Sequence, residues 1–212
     1  MIKYEKIREQ VLKAAPKSNE LGLIHGTSGN ISVRDEKDNV VAITPSGIAY
    51  DTMKVEDIAI VDIDGNWIDG KYKPSTETPM HTGILRNRPD MNAVVHTHSK
   101  FATIMSMSGK PLPKATLPSC AYYPIKSTTE FYPAGTDGLA QTAIDGIGKD
   151  GDVVLLKNHG LIAGGKTIDE AMTVAEYTEE CAEISYLAKL VGFDEFISDE
   201  DCMYLKKMIK GL

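Results

Sequence analysis

The sequence predicts one α/β domain, on three observations. An amphipathic helical repeat opens the chain, apolar runs of strand length divide its middle, and a long helical segment follows the last of them. At 212 residues there is length for one sizeable core, while a second independent domain would be cramped, so residues 1–212 are read as a single unit.

The opening segment, Tyr4 to about Leu23, sets Ile7, Val11, Leu12 and Ala15 at helical spacing with charges between them. Pro16 predicts a kink or a division in that helix, because proline removes an internal hydrogen bond. Gly26-Thr27-Ser28-Gly29-Asn30 is a small-residue turn rich in donors. Short strands follow at Ile31 to Val33 and Val40 to Thr44 around a turn at Asp35 to Asn39, and Pro45-Ser46-Gly47 makes another tight loop. Ile58 to Ile63 alternates like a half-buried strand, and Asp64-Gly65 marks a hairpin turn before Trp67 and Ile68.

Thr78 to about Arg88 reads as a helix with Met80, Ile84 and Leu85 facing inward, stopped by Pro89. Ala93 to His98 is a strand, Lys100 to Ser108 a short helix ending at Gly109, and Asp152 to Lys157 a second buried strand. The last helix runs from Thr167 to about Val191. Leu112 to Gly138, with Pro113, Pro118, Pro124 and Pro133, reads as loop, and no internal repeat or linker is present.

Composition narrows the function. A formal net charge of -7 opposes a nucleic-acid footprint or an anionic membrane surface, while leaving room for a small anionic substrate in a locally positive pocket. Cys120, Cys181 and Cys202 are odd in number and lack a Cys-x-x-Cys pair, which fits reduced thiols better than a disulfide framework or zinc knuckle. Met1-Ile2-Lys3-Tyr4-Glu5-Lys6 leads into no apolar stretch, and no run approaches the roughly 20 apolar residues of a membrane span. A cytoplasmic protein is expected.

The chemistry concentrates on histidines. His96-Thr97-His98 ends an apolar strand, and side chains two apart on a strand share a face, so both rings can turn to one metal ion. His159 sits in Asn158-His159-Gly160, at the end of the other apolar strand, where rigid structure aims a loop. Three imidazoles with an open fourth position make a catalytic zinc arrangement, although cobalt, manganese, nickel or iron could occupy it. Of the five histidines, His25 lies in a loop and His81, four residues after Glu77 on a helix, reads as a packed or hydrogen-bonded side chain.

Glu77 follows Lys73-Pro74-Ser75-Thr76 at a helix entry. Ser75 or Thr76 as N-cap would place it in the first turn, where a carboxylate favours the helix dipole. A carboxylate beside a metal can also move a proton, and the same helix start can hold an anion. Gly26 to Asn30, Thr44 to Gly47 and Pro74 to Thr76 share hydroxyls and free N–H groups without lysine, a way of cradling phosphate unlike a Walker A loop.

Taken together, Gly26-Thr27-Ser28-Gly29-Asn30-Ile31-Ser32, Thr44-Pro45-Ser46-Gly47, Pro74-Ser75-Thr76-Glu77, Arg88 to His98 and Asn158-His159-Gly160-Leu161 resemble the class II aldolase/adducin family in order and spacing, from about residue 4 to residue 192. The resemblance implies a three-layer αβα fold around a mostly antiparallel sheet, assembled as a homotetramer with active sites at subunit interfaces. It puts zinc on His96, His98 and His159 and the acid/base carboxylate on Glu77. It puts the phosphate of a sugar substrate on Thr27, Asn30, Ser46, Gly47, Ser75 and Thr76.

The implied reaction is reversible cleavage of a ketose 1-phosphate to dihydroxyacetone phosphate and an aldehyde, as for L-fuculose 1-phosphate or a related deoxy-ketose. Family aldolases also use a tyrosine. Tyr122, Tyr123, Tyr132 and Tyr204 are all open for that part, since segments 112–135 and the tail after Gly192 match no motif. Sibling reactions share the fold: a ribulose-5-phosphate 4-epimerase, which carries aspartate at the Glu77 position, a methylthioribulose-1-phosphate dehydratase, or a sugar-acid phosphate decarboxylase. An adducin-like binding module would keep the fold without needing the three histidines and Glu77.

Overall fold

The computed structural model describes residues 2–211; Met1, at the head of the segment read for a signal, and Leu212 lie outside them. The chain begins with helix α1 (Glu5–Glu20), then strands β1 (Asn30–Asp35), β2 (Val40–Ile43), β3 (Ala59–Asp62) and β4 (Trp67–Asp69). Helix α2 (Thr78–Asn87), strand β5 (Ala93–Thr97), helix α3 (Lys100–Ser106), strand β6 (Lys126–Ser127) and helix α4 (Asp137–Ile147) follow. Strands β7 (Val153–Leu156) and β8 (Gly160–Gly165) and helices α5 (Ile168–Leu190) and α6 (Asp199–Lys210) complete it.

The strands form one sheet in the order β4-β3-β2-β1-β5-β8-β7-β6. Every neighbouring pair is antiparallel except β6 with β7. Strand periodicity splits the core in two. Ile31, Val33, Val95, Leu155 and Leu161 face α1 and α5, whereas Val41, Ile43, Val94, Val154 and Ile162 face α2 and α4. This is the expected αβα sandwich around a mostly antiparallel sheet. Each fully buried Val, Leu or Ile contributes about 1.5–3 kcal/mol, so the two apolar faces hold the layers together. Among the described residues no helix is long and apolar enough to cross a membrane.

Four details differ from the sequence reading. Pro16 lies inside α1 without dividing it, because Ile7 and Val11 before it and Ala14 and Ala15 beside it are buried against the core. The β3 strand does not alternate, since Ala59, Ile60 and Val61 are all buried between helical layers. The segment from 112 to 138 is not loop throughout, holding a 3-10 turn at Pro118–Tyr122, β6 and the start of α4, whose first turn is capped by Thr136 accepting from the Leu139 N–H. Beyond Gly192, α6 forms with Cys202 as its buried residue, docked by Lys114 to Asp199 at 2.7 Å and by Lys206 to the Tyr123 carbonyl.

The sheet's central strands aim the functional segments at one end. Asn30 pairs opposite His96 across β1 and β5, and Thr97 pairs with Leu161 across β5 and β8. Gly160 closes the β7–β8 hairpin opposite Leu156, and a Cβ there would run into the Thr97 carbonyl oxygen. The hairpin therefore lies flush against the strand that leads into His98. Gly160→Ala should lower stability by about 1–3 kcal/mol in urea unfolding, as overpacking against fixed backbone does. A loss under about 0.5 kcal/mol, the range of an ordinary surface change, would show that the hairpin is free to shift.

Candidate functional site

The site forms where β5 ends. Val94 and His96 share the sheet face covered by α2 and α4, and His96 is fully buried there. His98 stands just past the strand, which stops at Thr97. Its ring nevertheless turns back to the same point: His96 Nε2 and His98 Nε2 are 3.0 Å apart. Helix α3 begins two residues later, and the Glu179 carboxylate from α5 accepts from the Phe101 and Ala102 N–H groups at 2.8 and 2.7 Å. That contact pins the backbone immediately after His98.

His159 comes from the β7–β8 turn. Asn158 takes the left-handed conformation, with φ of 56°, which asparagine tolerates better than most residues. Three hydrogen bonds fix the turn: Lys157 N–H to Thr128 Oγ1, Asn158 N–H to Ser106 Oγ, and His159 N–H to the Leu156 carbonyl. The ring lands with Nε2 at 3.3 Å from His96 Nε2. All three rings meet edge to face, with centroids 4.7–4.8 Å apart.

Glu77 precedes α2 at its N-cap position, so neither Ser75 nor Thr76 caps the helix, and the Glu77 side chain makes no capping bond. It turns instead to the imidazoles, with Oε2 at 3.3 Å from His96 Nε2 and Oε1 at 3.5 Å from His159 Nε2. The four ligand atoms all lie within 4.8 Å of one another. An open fourth corner is expected from the three histidines alone. The Glu77 carboxylate stands beside that corner in this arrangement.

The donor chemistry fits a divalent cation. His96 donates from Nδ1 to the Leu161 carbonyl at 2.9 Å, which leaves the Nε2 lone pair facing the centre. Burial holds the His96 ring well below the usual histidine range, helped by the neighbouring His159 and His98 rings. Burial also lowers His98 and His159, against the opposing pull of the Glu77 carboxylate. Neutral imidazoles are the form that binds metal. Glu77 Oε1 and His159 Nδ1 are buried without a hydrogen-bond partner, and unpaired buried polar atoms of this kind mark a site built for a ligand. A tetrahedral ion with nitrogen bonds of about 2.0–2.1 Å spaces its ligand atoms about 3.3 Å apart, close to the separations seen.

The three donor loops meet beside this cluster. Pro45 and Pro74 bridge, Ser46 N–H donates to the Lys73 carbonyl, and Ser75 N–H donates to the Thr44 carbonyl. Thr44 Oγ1 accepts from Ile31 N–H, which ties in β1. Thr27, Ser46, Gly47 and Thr76 are exposed, while Asn30 and Ser75 are buried. Ser75 Oγ accepts from Glu77 N–H. Gly29 needs its positive φ of 90°, and a Cβ there would stand 2.6 Å from the His96 carbonyl oxygen.

Two further groups brace the site without a sequence signature. Tyr50 donates to the Gly29 carbonyl at 2.7 Å, and burial pushes its hydroxyl up to about 12. His81 is indeed a buried, hydrogen-bonded histidine, but its partners are Ser32 and Asn30, not the packing of its own helix. Of the tyrosines left open, Tyr123 bonds Asp199 and Tyr132 bonds Glu130, and Tyr204 is exposed on α6. Among the described residues none of the four, Tyr122 included, hydrogen-bonds to Glu77 or the three imidazoles.

Comparison with known proteins agrees with this architecture. The family model for the class II aldolase and adducin N-terminal domain matches residues 9–186. The chain is 39% identical over 207 residues to a 5-deoxy-D-ribulose 1-phosphate aldolase of Bacillus thuringiensis serovar kurstaki, covering 98% of this chain and 97% of that protein. It is 31% identical over 196 residues to an L-ribulose-5-phosphate 4-epimerase of Salmonella paratyphi B, covering 87% and 86%. A solved structure of an L-fuculose 1-phosphate aldolase superposes with a TM-score of 0.89 at 33% identity, over 97% of this chain and 96% of that one. With a family model spanning most of its length and relatives alike over nearly all of it, the chain belongs to the class II aldolase and adducin family.

Proposed function

We propose that this protein is a zinc-dependent aldolase that reversibly cleaves a ketose 1-phosphate, of the deoxy-ketose type, to dihydroxyacetone phosphate and an aldehyde. The observation that carries the reading is the convergence of His96, His98, His159 and Glu77 within 4.8 Å beside three loops of anion donors. A relative 39% identical over almost the whole length that is named for a deoxy-ketose 1-phosphate supports the substrate class. Zinc suits three neutral imidazoles best, and a dication there supplies Lewis acidity toward the oxygens of the sugar.

The chain's own residues account for the rest. Thr27, Asn30, Ser46, Gly47, Ser75 and Thr76 would hold the phosphate, Ser46 and Ser75 through their hydroxyls because their N–H groups bond the Lys73 and Thr44 carbonyls, with the positive end of α2 behind them. Breaking the C3–C4 bond sends its electron pair toward the C2 carbonyl, leaving an enediolate, while the C4 hydroxyl proton passes to solvent as the aldehyde forms. Glu77 then places a proton on C3, or removes it in the condensation direction. Glu77 Oε1 lacks a protein hydrogen-bond partner, which leaves that atom available for the transfer. We place the enzyme in the cytoplasm as a homotetramer with subunit-interface sites, the assembly its family resemblance implies.

A second reading, a 4-epimerase, is favoured by the Salmonella relative; the glutamate at position 77 supports the aldolase over it. Incubation with a panel of ketose 1-phosphates should release dihydroxyacetone phosphate from at least one deoxy-ketose. Epimerised or dehydrated product without triose would replace the aldolase reading with a sibling reaction. Glu77→Gln should retain phosphate-ligand binding, measured by calorimetry, while kcat drops by about 10²–10⁴-fold, as loss of a general acid–base group does. Turnover at the wild-type rate would remove Glu77 from proton transfer.

A further inference from the structure

We propose that His81 is a positioning residue that sets the orientation of the Glu77 carboxylate through Asn30, with Ser32 fixing the His81 ring; this rests on Glu77 being the proton-transferring group. Four side chains from two elements interlock. Glu77 and His81 stand one helical turn apart at the start of α2, and Asn30 and Ser32 share one face of β1. Ser32 Oγ lies 2.7 Å from His81 Nδ1, His81 Nε2 lies 2.5 Å from Asn30 Oδ1, and Asn30 Nδ2 lies 2.8 Å from Glu77 Oε2. All four are buried, His81 and Ser32 completely.

With Glu77 as the carboxylate, donor and acceptor capacity leaves one consistent assignment. An amide oxygen only accepts, so the proton on His81 sits at Nε2. The ring is completely buried with only Ser32 and Asn30 at its two nitrogens and no carboxylate against them, which favours the neutral form, so its Nδ1 lone pair accepts from the Ser32 hydroxyl. The hydrogen bonds then run in one direction: Ser32 O–H to His81, His81 N–H to Asn30, Asn30 N–H to the Glu77 carboxylate. Were the Asn30 amide turned over, its oxygen would face the Glu77 oxygen, two acceptors with no proton between them. The His81 N–H is what forbids that turn.

A buried polar pair that merely ties α2 to the sheet would give the same contacts, so the experiment must separate stability from aim. His81→Leu keeps the volume and removes the donor, while His81→Gln returns an amide N–H near the Nε2 position. With both variants confirmed folded by thermal melting, His81→Leu should lower kcat by about 10- to 100-fold with KM little changed, and His81→Gln should recover most of the loss. Nitrogen NMR of the metal-free wild-type protein should show the His81 ring as the neutral Nε2–H tautomer.

Wild-type kcat in folded His81→Leu, alongside an inactive Glu77→Gln, would overturn the positioning role while leaving Glu77 in place. Equal kcat losses in the Leu and Gln variants would assign His81 to structure alone. An active Glu77→Gln would instead remove the underlying proton-transfer reading. Should His81→Leu fail to fold, the Gln variant and the tautomer decide: an Nδ1–H ring contradicts the proposal.

Discussion

Three neutral imidazoles that turn their nitrogens toward one another in a desolvated pocket set the constraint on this protein. Burial strips water from those lone pairs and holds the rings unprotonated, so mutual ion pairing with Glu77 cannot satisfy them. A dication would reconcile the geometry and the charge together, taking a lone pair from each ring and balancing the carboxylate. The same burial that leaves these groups unpaired would favour a metal held among them. Stability and function are therefore coupled at this point.

The sheet meets that constraint with rigid elements. His96 and His98 come from β5 and its end, His159 from a turn tied at three consecutive backbone N–H groups, and Glu77 from the start of α2. Glycine is required where backbones touch: Gly160 against Thr97, and Gly29 against the His96 carbonyl. Beneath the ligands, Leu161 fixes one ring, Glu179 pins the residues after His98, and Ser32, His81 and Asn30 reach the carboxylate. Groups held this way lose little freedom on ligand binding, which is how a site keeps its geometry.

Much of the histidine cluster was legible in the sequence because it depends on local patterns. A His-x-His at the end of an apolar run and a histidine in the next strand's turn declare themselves through period and position. The small-residue loops did so through their donors. The two helices missed, α4 and α6, do carry amphipathic stripes, but each is short and sits beside proline- or glycine-containing segments that read as loop. Gly138 and Gly146 dilute the stripe of Leu139, Ala140, Ala143 and Ile147 in α4, and α6 buries Cys202 while docking by charge. Glu77 was singled out by its motif, but the direction of its side chain was not legible, since its carboxylate takes a hydrogen bond from Asn30, 47 residues away in the chain. Tertiary partners of that kind leave no spacing rule.

The most direct test of the converging imidazoles is X-ray absorption spectroscopy on the purified protein, with its metal content measured alongside. We expect about one divalent transition-metal ion per chain, with imidazole nitrogens at about 2.0–2.1 Å that are disrupted in His96→Ala. A protein with no stoichiometric ion, or an ion whose surroundings are unchanged by that substitution, would contradict the metal centre on which the aldolase reading stands.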